Sequence, residues 1–349
     1  MQSSLHNLGY ALRQSSELYA PSTLVRAMRS GILFIALAAL VLQTLHAVAG
    51  TAEQSQLLQA QKFSDQGELA QVIRILEPLV HSEPGALDDA SRGSAWNLLG
   101  TAHQDLGEYD IARRCYEAAI HLLKTLPAAG STYASTLANL GSLETSIDQL
   151  EAAETTLHKA KNLYLKTGNH AGLAEIATSL AILAIAHNNM HAARRFMADA
   201  FREADIVKNL DDSDRAEMYG AEGALAARTH HFAAAISAYQ QSIDFWIRAR
   251  GPKHYLVAMG YALQGDAYRE LGDYSKAYTD IAAALALVEQ TVGRNTPMYA
   301  TTELLYARLL HATGANAEAT RTEVEAKARL EAIHQQQCDT CSISAAGLR

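Results

Sequence analysis

Trp96 to Ala119 reads WNLLGTAHQDLGEYDIARRCYEAA, two helical patterns hinged on Gly107. Apolar and small residues recur at helical spacing on either side, and the glycine sits where the two patterns break. Glycine populates positive φ freely, so a helix can stop there and the chain can turn straight back. Outward from this point the same corner returns at Gly67, Asp148, Asn188, His230, Gly272 and Gly314, at steps of 40 to 42 residues. Asp, Asn and His are the side chains most enriched at positive φ after glycine. Seven such corners at a near-constant interval predict stacked helical hairpins, an all-α repeat array.

Two further positions keep step with the corner. Five residues after it stand Val72, Ala112, Ala153, Ala193, Ala235, Ala277 and Ala319, and seven residues later Leu79, Ala119, Ala160, Ala200, Ser242, Ala284 and Ala326. Helices packed at about 8–10 Å leave no room for a branched side chain at their crossing, so these positions read as steric contacts. Between them Leu76, Tyr116, Leu157, Met197, Tyr239 and Ile281 are expected to fill the space beside the crossing.

The pattern resembles the tetratricopeptide repeat (TPR) family. The second repeat carries it most fully, with Trp96, Leu99, Gly100, Gly107-Glu108-Tyr109, Ala112, Tyr116 and Ala119, and the sixth follows with Tyr261, Gly265, Tyr268, Gly272-Asp273-Tyr274, Ala277 and Ala284. An ordinary member repeats every ~34 residues. The longer step here is similar to that of kinesin light chain and related bacterial arrays. The resemblance covers roughly residues 53–336. It implies an α-solenoid of about seven stacked helix-turn-helix repeats forming a right-handed superhelix.

Departures from the pattern fall at identifiable places. Repeat 1 puts Val72 and Leu79 at the small positions and Pro78 inside its second helix, where proline removes a hydrogen bond, so it reads as a distorted cap. Glu222, Gln264 and Glu303 fall near core positions, which requires either a register one residue different or slightly rotated helices. Pro84, Pro127, Pro252 and Pro297 lie in expected links, and Thr296-Pro297 reads as a helix cap followed by the first helical position. With 49% hydrophobic and only 7% aromatic residues, the 349-residue composition suits a helical array better than a sheet.

Residues 1–49 read as a sorting segment. Arg26 and Arg29 precede an apolar run from Ile32 to Leu42, followed by the small triplet Ala47-Val48-Ala49. A run this short suits a secretory signal cleaved after Ala49, since a spanning helix needs about 20 apolar residues. Met28 would give the signal a more conventional start. An uncleaved anchor over residues 31–48 is the alternative. The expected order is therefore 1–49 signal, 50–336 solenoid and 337–349 tail, with export to the periplasm or medium. Net charge is −8 for the whole chain, and residues 1–49 contribute about +2 of positive charge against that balance. An acidic chain without runs of Lys and Arg is not a nucleic-acid binder.

Few residues carry chemistry. Cys338 and Cys341 form Cys-Asp-Thr-Cys in the expected tail, and three uses stay open: a local disulfide, unpaired or partner-directed thiols, and metal or catalytic use. Cys115 reads as a packing thiol. His230-His231 occupies a corner, which turns the two rings apart and favours a structural role. No zinc-protease, nucleophile-elbow or phosphate-loop motif occurs, so no enzyme, metal or cofactor is expected.

The resemblance implies that the first helix of each pair lines the concave side. It puts Asn97, Thr101, Gln104 and Asp105 there in repeat 2, Ser142, Thr145 and Ser146 in repeat 3, and Thr178, Ile182 and Ile185 in repeat 4. Repeats 5–7 supply Arg228, Asp266, Arg269, Glu270, Arg308 and His311. Arg228, Arg269 and Arg308 recur on consecutive repeats and form a candidate carboxylate dock, unless Asp266 and Glu270 neutralise them. The chain lacks the Lys and Asn with which some family members clamp the C-terminal carboxylate of chaperone tails. The expected function is a non-catalytic scaffold or adaptor that binds a protein or peptide in its groove. A ligand-sensing regulator and a membrane-anchored assembly factor are the alternatives, and the oligomeric state is left open.

Overall fold

The computed structural model describes residues 52–346, apart from 84, 86, 127 and 128. They form fourteen helices in seven consecutive pairs, and among the described residues there is no strand. The pairs are α1 (52–65) with α2 (Leu69–Val80), α3 (Asp89–Asp105) with α4 (Tyr109–Leu123), and α5 (Gly130–Ser146) with α6 (Leu150–Thr167). Then come α7 (His170–Ala186) with α8 (Met190–Ile206), α9 (Asp212–Arg228) with α10 (Phe232–Arg250), α11 (Tyr255–Glu270) with α12 (Tyr274–Thr291), and α13 (Pro297–Ala312) with α14 (Asn316–Ala346).

All seven expected corners have positive φ, from 56° at Asn188 to 86° at Gly314. The residue after each corner returns its N–H to the carbonyl five residues back, as in Glu108 to His103 (2.8 Å) and Asn189 to Ala184 (2.7 Å). This is the Schellman closure that a left-handed residue makes possible, and it satisfies carbonyls the helix end leaves open. Asp88, Asn169, Asp211 and Thr296 cap the first helices that follow them, each accepting a backbone N–H of the next turn.

The small positions lie where expected. Val72 and the six alanines that follow it in step are fully buried, and Leu76, Tyr116, Leu157 and Ile281 fill the space beside them without exposure. Gly100 shows why the crossing tolerates nothing larger, since a Cβ there would stand 2.7 Å from the Tyr116 ring. The polar residues at core positions need no change of register. Gln264 is buried and donates to the Ile236 carbonyl at 3.1 Å, and Glu303 pairs with Arg329 at 3.2 Å. Pro78 is accommodated in the last turn of α2, the shortest of the helices with 12 residues.

Two features depart from the sequence reading. The last helix runs on to Ala346, so its backbone takes in Cys338 and Cys341, where a tail was expected to begin at 337; their side chains lie outside the described residues. So do residues 1–49, with the signal, the anchor alternative and the Met28 start. The larger departure is that the solenoid is not one-dimensional. Seven pairs bring the array round until pairs five to seven touch pairs one and two. Arg250 pairs with Asp65, the Tyr255 hydroxyl donates to Asp105 at 2.5 Å, and the His254 ring reaches the Ser64 carbonyl at 3.5 Å. Tyr255 is buried in the same apolar cluster as Ala60, Leu76 and Leu99. The corner glycines of the first two repeats make the approach: a Cβ on Gly67 would meet His254 at 3.0 Å, and one on Gly107 would meet Pro297 at 2.3 Å. These contacts tie the first two pairs to the last three across the concave side.

Candidate ligand-binding cavity

Closure leaves a cavity of about 310 Å³ inside the superhelix. Its walls come from the first helices of five consecutive pairs, α1, α3, α5, α7 and α9, and from the junction of α10 with α11. Ser142, Ser179 and Ser213 line it, and side chains this short leave the space unfilled. Thr101, Gln104 and Asp105 form one wall, with the Tyr116 hydroxyl donating to Gln104 at 2.8 Å and to Thr101 at 3.3 Å.

The electrostatics are one-sided. Asp105, Glu175, Asp214 and Glu217 line the cavity, against Arg250 and His254. Burial raises the Asp105 carboxyl to about 6, with the Tyr255 hydrogen bond working the other way. Glu175 is raised to about 8, first by burial and then by the Glu217 and Asp214 carboxylates. Glu217 reaches about 7 for the same reasons, burial first and then Asp214 and Asp105; its side chain meets water inside the cavity while protein walls surround it. Asp214 rises to about 6 through burial and Asp211. His254 moves the other way, to about 4, because burial disfavours the imidazolium. The cavity therefore holds carboxyl groups at the edge of ionisation and no free cation among its described lining residues.

The sequence-expected groove residues divide into two sets. Thr101 and Asp105 line the cavity, and Asn97 lies one turn before Thr101 with its amide oxygen accepting from Asn139 at 3.0 Å. The second set is engaged elsewhere. Arg269 is held by Asp266 at 2.7 Å and Glu270 at 2.5 Å, and Arg308 lies 3.9 Å from Asp266. Arg228 donates to Asn188 at 3.2 Å, and His311 faces Asn316 and Glu323. Asp266 and Glu270 thus neutralise Arg269, Asp266 also stands near Arg308, and Arg228 meets a neutral amide. Glu175, Asp214, Glu217, Trp246, Arg250, His254 and Tyr255 were not singled out beforehand. Apart from His254, which caps α11 from the link before it, each has the sequence context of an ordinary helix face, and only the closure of the superhelix joins them.

The other chemistry-bearing residues are structural. Burial pushes the Cys115 thiol up to about 12, which leaves it unreactive. His230 packs edge-on against Phe232, while His231 lies 3.0 Å from the Thr229 hydroxyl, so the rings do part. Among the described residues no three His, Cys, Asp or Glu side chains are placed to hold a metal ion, and no helix is long and apolar enough to cross a membrane.

Models of the tetratricopeptide repeat family match residues 93–126 and 214–279. No curated protein matches the sequence. Among solved structures, NprR in complex with its cognate peptide NprX is similar with a TM-score of 0.61 at 14% identity, over 90% of this chain and 93% of that one. A Rap protein complexed with Competence and Sporulation Factor gives 0.57 at 13% identity, over 80% and 78%. BtubC from P. vanneervenii gives 0.50 at 19% identity, over 66% and 92%. At these identities the likeness is one of fold.

Proposed function

Since this chain is a tetratricopeptide repeat array, we propose that it is a non-catalytic scaffold that holds a protein or peptide segment in the cavity between its first helices. The observation that carries this reading is the cavity itself, a space on the concave side to which five consecutive repeats contribute walls. Its volume lies at the lower edge of the ordinary range for ligand sites, about 300–1,000 Å³. It therefore takes a few residues of an extended segment and not a packed helix. Two of the similar structures, NprR with NprX and Rap with its factor, are complexes by their own description, which is consistent with a binding role for this fold.

Ser142→Trp tests the reading. Ser142 lines the cavity with an exposed side chain, so an indole there fills the space without entering the core. The variant should keep its circular dichroism and melting temperature while losing photo-crosslinking to polypeptides from its native compartment. Unchanged capture would move the binding surface elsewhere.

We place the scaffold outside the cytoplasm, because residues 1–49 combine Arg26 and Arg29 with a short apolar run and a small-residue cleavage site. A reporter active only after export, fused behind residue 52, should light up in cells and fall silent when residues 32–42 are deleted. Equal signals from the two fusions would refute export by this segment.

A further inference from the structure

We propose that Asp214 and Glu217 receive a cationic group, an ammonium or a guanidinium, brought into the cavity by the bound segment. The inference rests on the peptide-binding reading and names the chemistry that reading leaves open.

The lining charges are not balanced within the chain. Arg250 is paired with Asp65, and His254 is held neutral, so neither forms an ion pair with the cavity carboxylates. Asp105 accepts the Tyr255 hydroxyl, and Glu175 accepts the Tyr164 hydroxyl at 3.2 Å. Asp214 and Glu217 stand one turn apart on α9 and have no hydrogen-bond or ion-pair partner among the described residues. Asp214 lies in the first turn of α9, where the helix dipole favours a negative charge. That accounts for one acid and leaves Glu217, one turn further in and repelled by Asp214 and Asp105, with only the pull of Arg250, itself paired with Asp65, against them.

A second observation points to an occupant. Trp246 is 4% exposed and lines the same cavity, yet its indole N–H meets no acceptor among the described residues. The N–H is left to water in the empty cavity or to an acceptor on an occupant. The site thus offers two open carboxylates and one open donor. A Lys or Arg residue within a peptide answers both, its cation meeting the carboxylates and a backbone carbonyl meeting the indole. A free polyamine supplies the cation alone.

The test uses the purified full chain and three pools of capped octapeptides, identical except for a central Lys or Arg, norleucine or Glu, with spermidine as a separate probe. Retention is read by equilibrium dialysis and mass spectrometry, for the parent and for the isosteric double variant Asp214→Asn, Glu217→Gln. The Lys/Arg pool should be retained at least about tenfold over the norleucine pool, and the double variant should erase that preference. Retention of all pools alike, or preference for Glu, overturns the cation site and leaves the peptide reading standing. Spermidine retained with no peptide pool retained upholds the cation site and overturns the peptide reading. A chain that retains nothing overturns both.

Discussion

Tyr116→Ala should destabilise the fold by about 3–5 kcal/mol, the range for removing a fully buried aromatic ring. Tyr116 has no exposed surface and sits between α3 and α4, where Gly100 is cut down to admit it. The neighbouring pairs hold both helices in place, so the space cannot collapse and the cavity term is paid nearly in full. The hydroxyl adds a second loss, because Gln104 and Thr101 both give up a partner at the cavity wall. Tyr116→Phe separates the two contributions and should cost about 0.5–1.5 kcal/mol. Urea unfolding of the three proteins is the measurement; an Ala variant within about 1 kcal/mol of the parent would mean that the ring is not packed at this crossing.

The corners were legible because the constraint there is local. A positive φ needs only the residue itself, and Gly, Asn, Asp and His at a fixed interval mark it whatever the rest of the chain does. The alanines in step with them were legible for a similar reason, since a helix crossing excludes bulk at one position in each repeat. The closure of the superhelix was not legible. It joins Asp65 to Arg250 and Asp105 to Tyr255, and no local pattern reports contacts between residues so far apart along the chain. Gly67 and Gly107 show the difficulty, because each is explained by its left-handed backbone before its second role against His254 or Pro297 comes into view. The cavity acids share that fate. Glu175, Asp214 and Glu217 lie on amphipathic helices where an acid normally faces water, and enclosure rather than residue type distinguishes them. Thr101 and Asp105 were found from their place in the repeat. The arginines recurred just as regularly, but Asp266 and Glu270, close by in sequence, take up the charge of Arg269.

Melting temperature should rise as pH falls from about 8.5 to about 6. On the alkaline side the cavity carboxyls decide the slope. Glu175 at about 8, Glu217 at about 7 and Asp105 and Asp214 at about 6 all bind protons more tightly in the fold than at their ordinary values. Stability is therefore lowest above pH 8 and rises as pH falls through these folded values, the gain being complete near the ordinary carboxyl range of about 4. His254 opposes this on the acid side. Its folded value of about 4 lies below the ordinary 6.5, so the stability present above pH 6.5 is lost as pH falls from there toward 4. One histidine against four carboxyls slows the rise below pH ~6.5 without reversing it. Because water in the cavity screens the acids, the gain from pH 8.5 to 6 should be roughly 2 kcal/mol and not the sum of the separate shifts. Asp214→Asn with Glu217→Gln should flatten the alkaline limb. A curve that falls steadily from pH 8 to 6 would mean that the carboxylates are compensated inside the fold. A bound cation should flatten the alkaline limb of the parent as the double variant does, because it stabilises the ionised carboxylates that the empty fold disfavours.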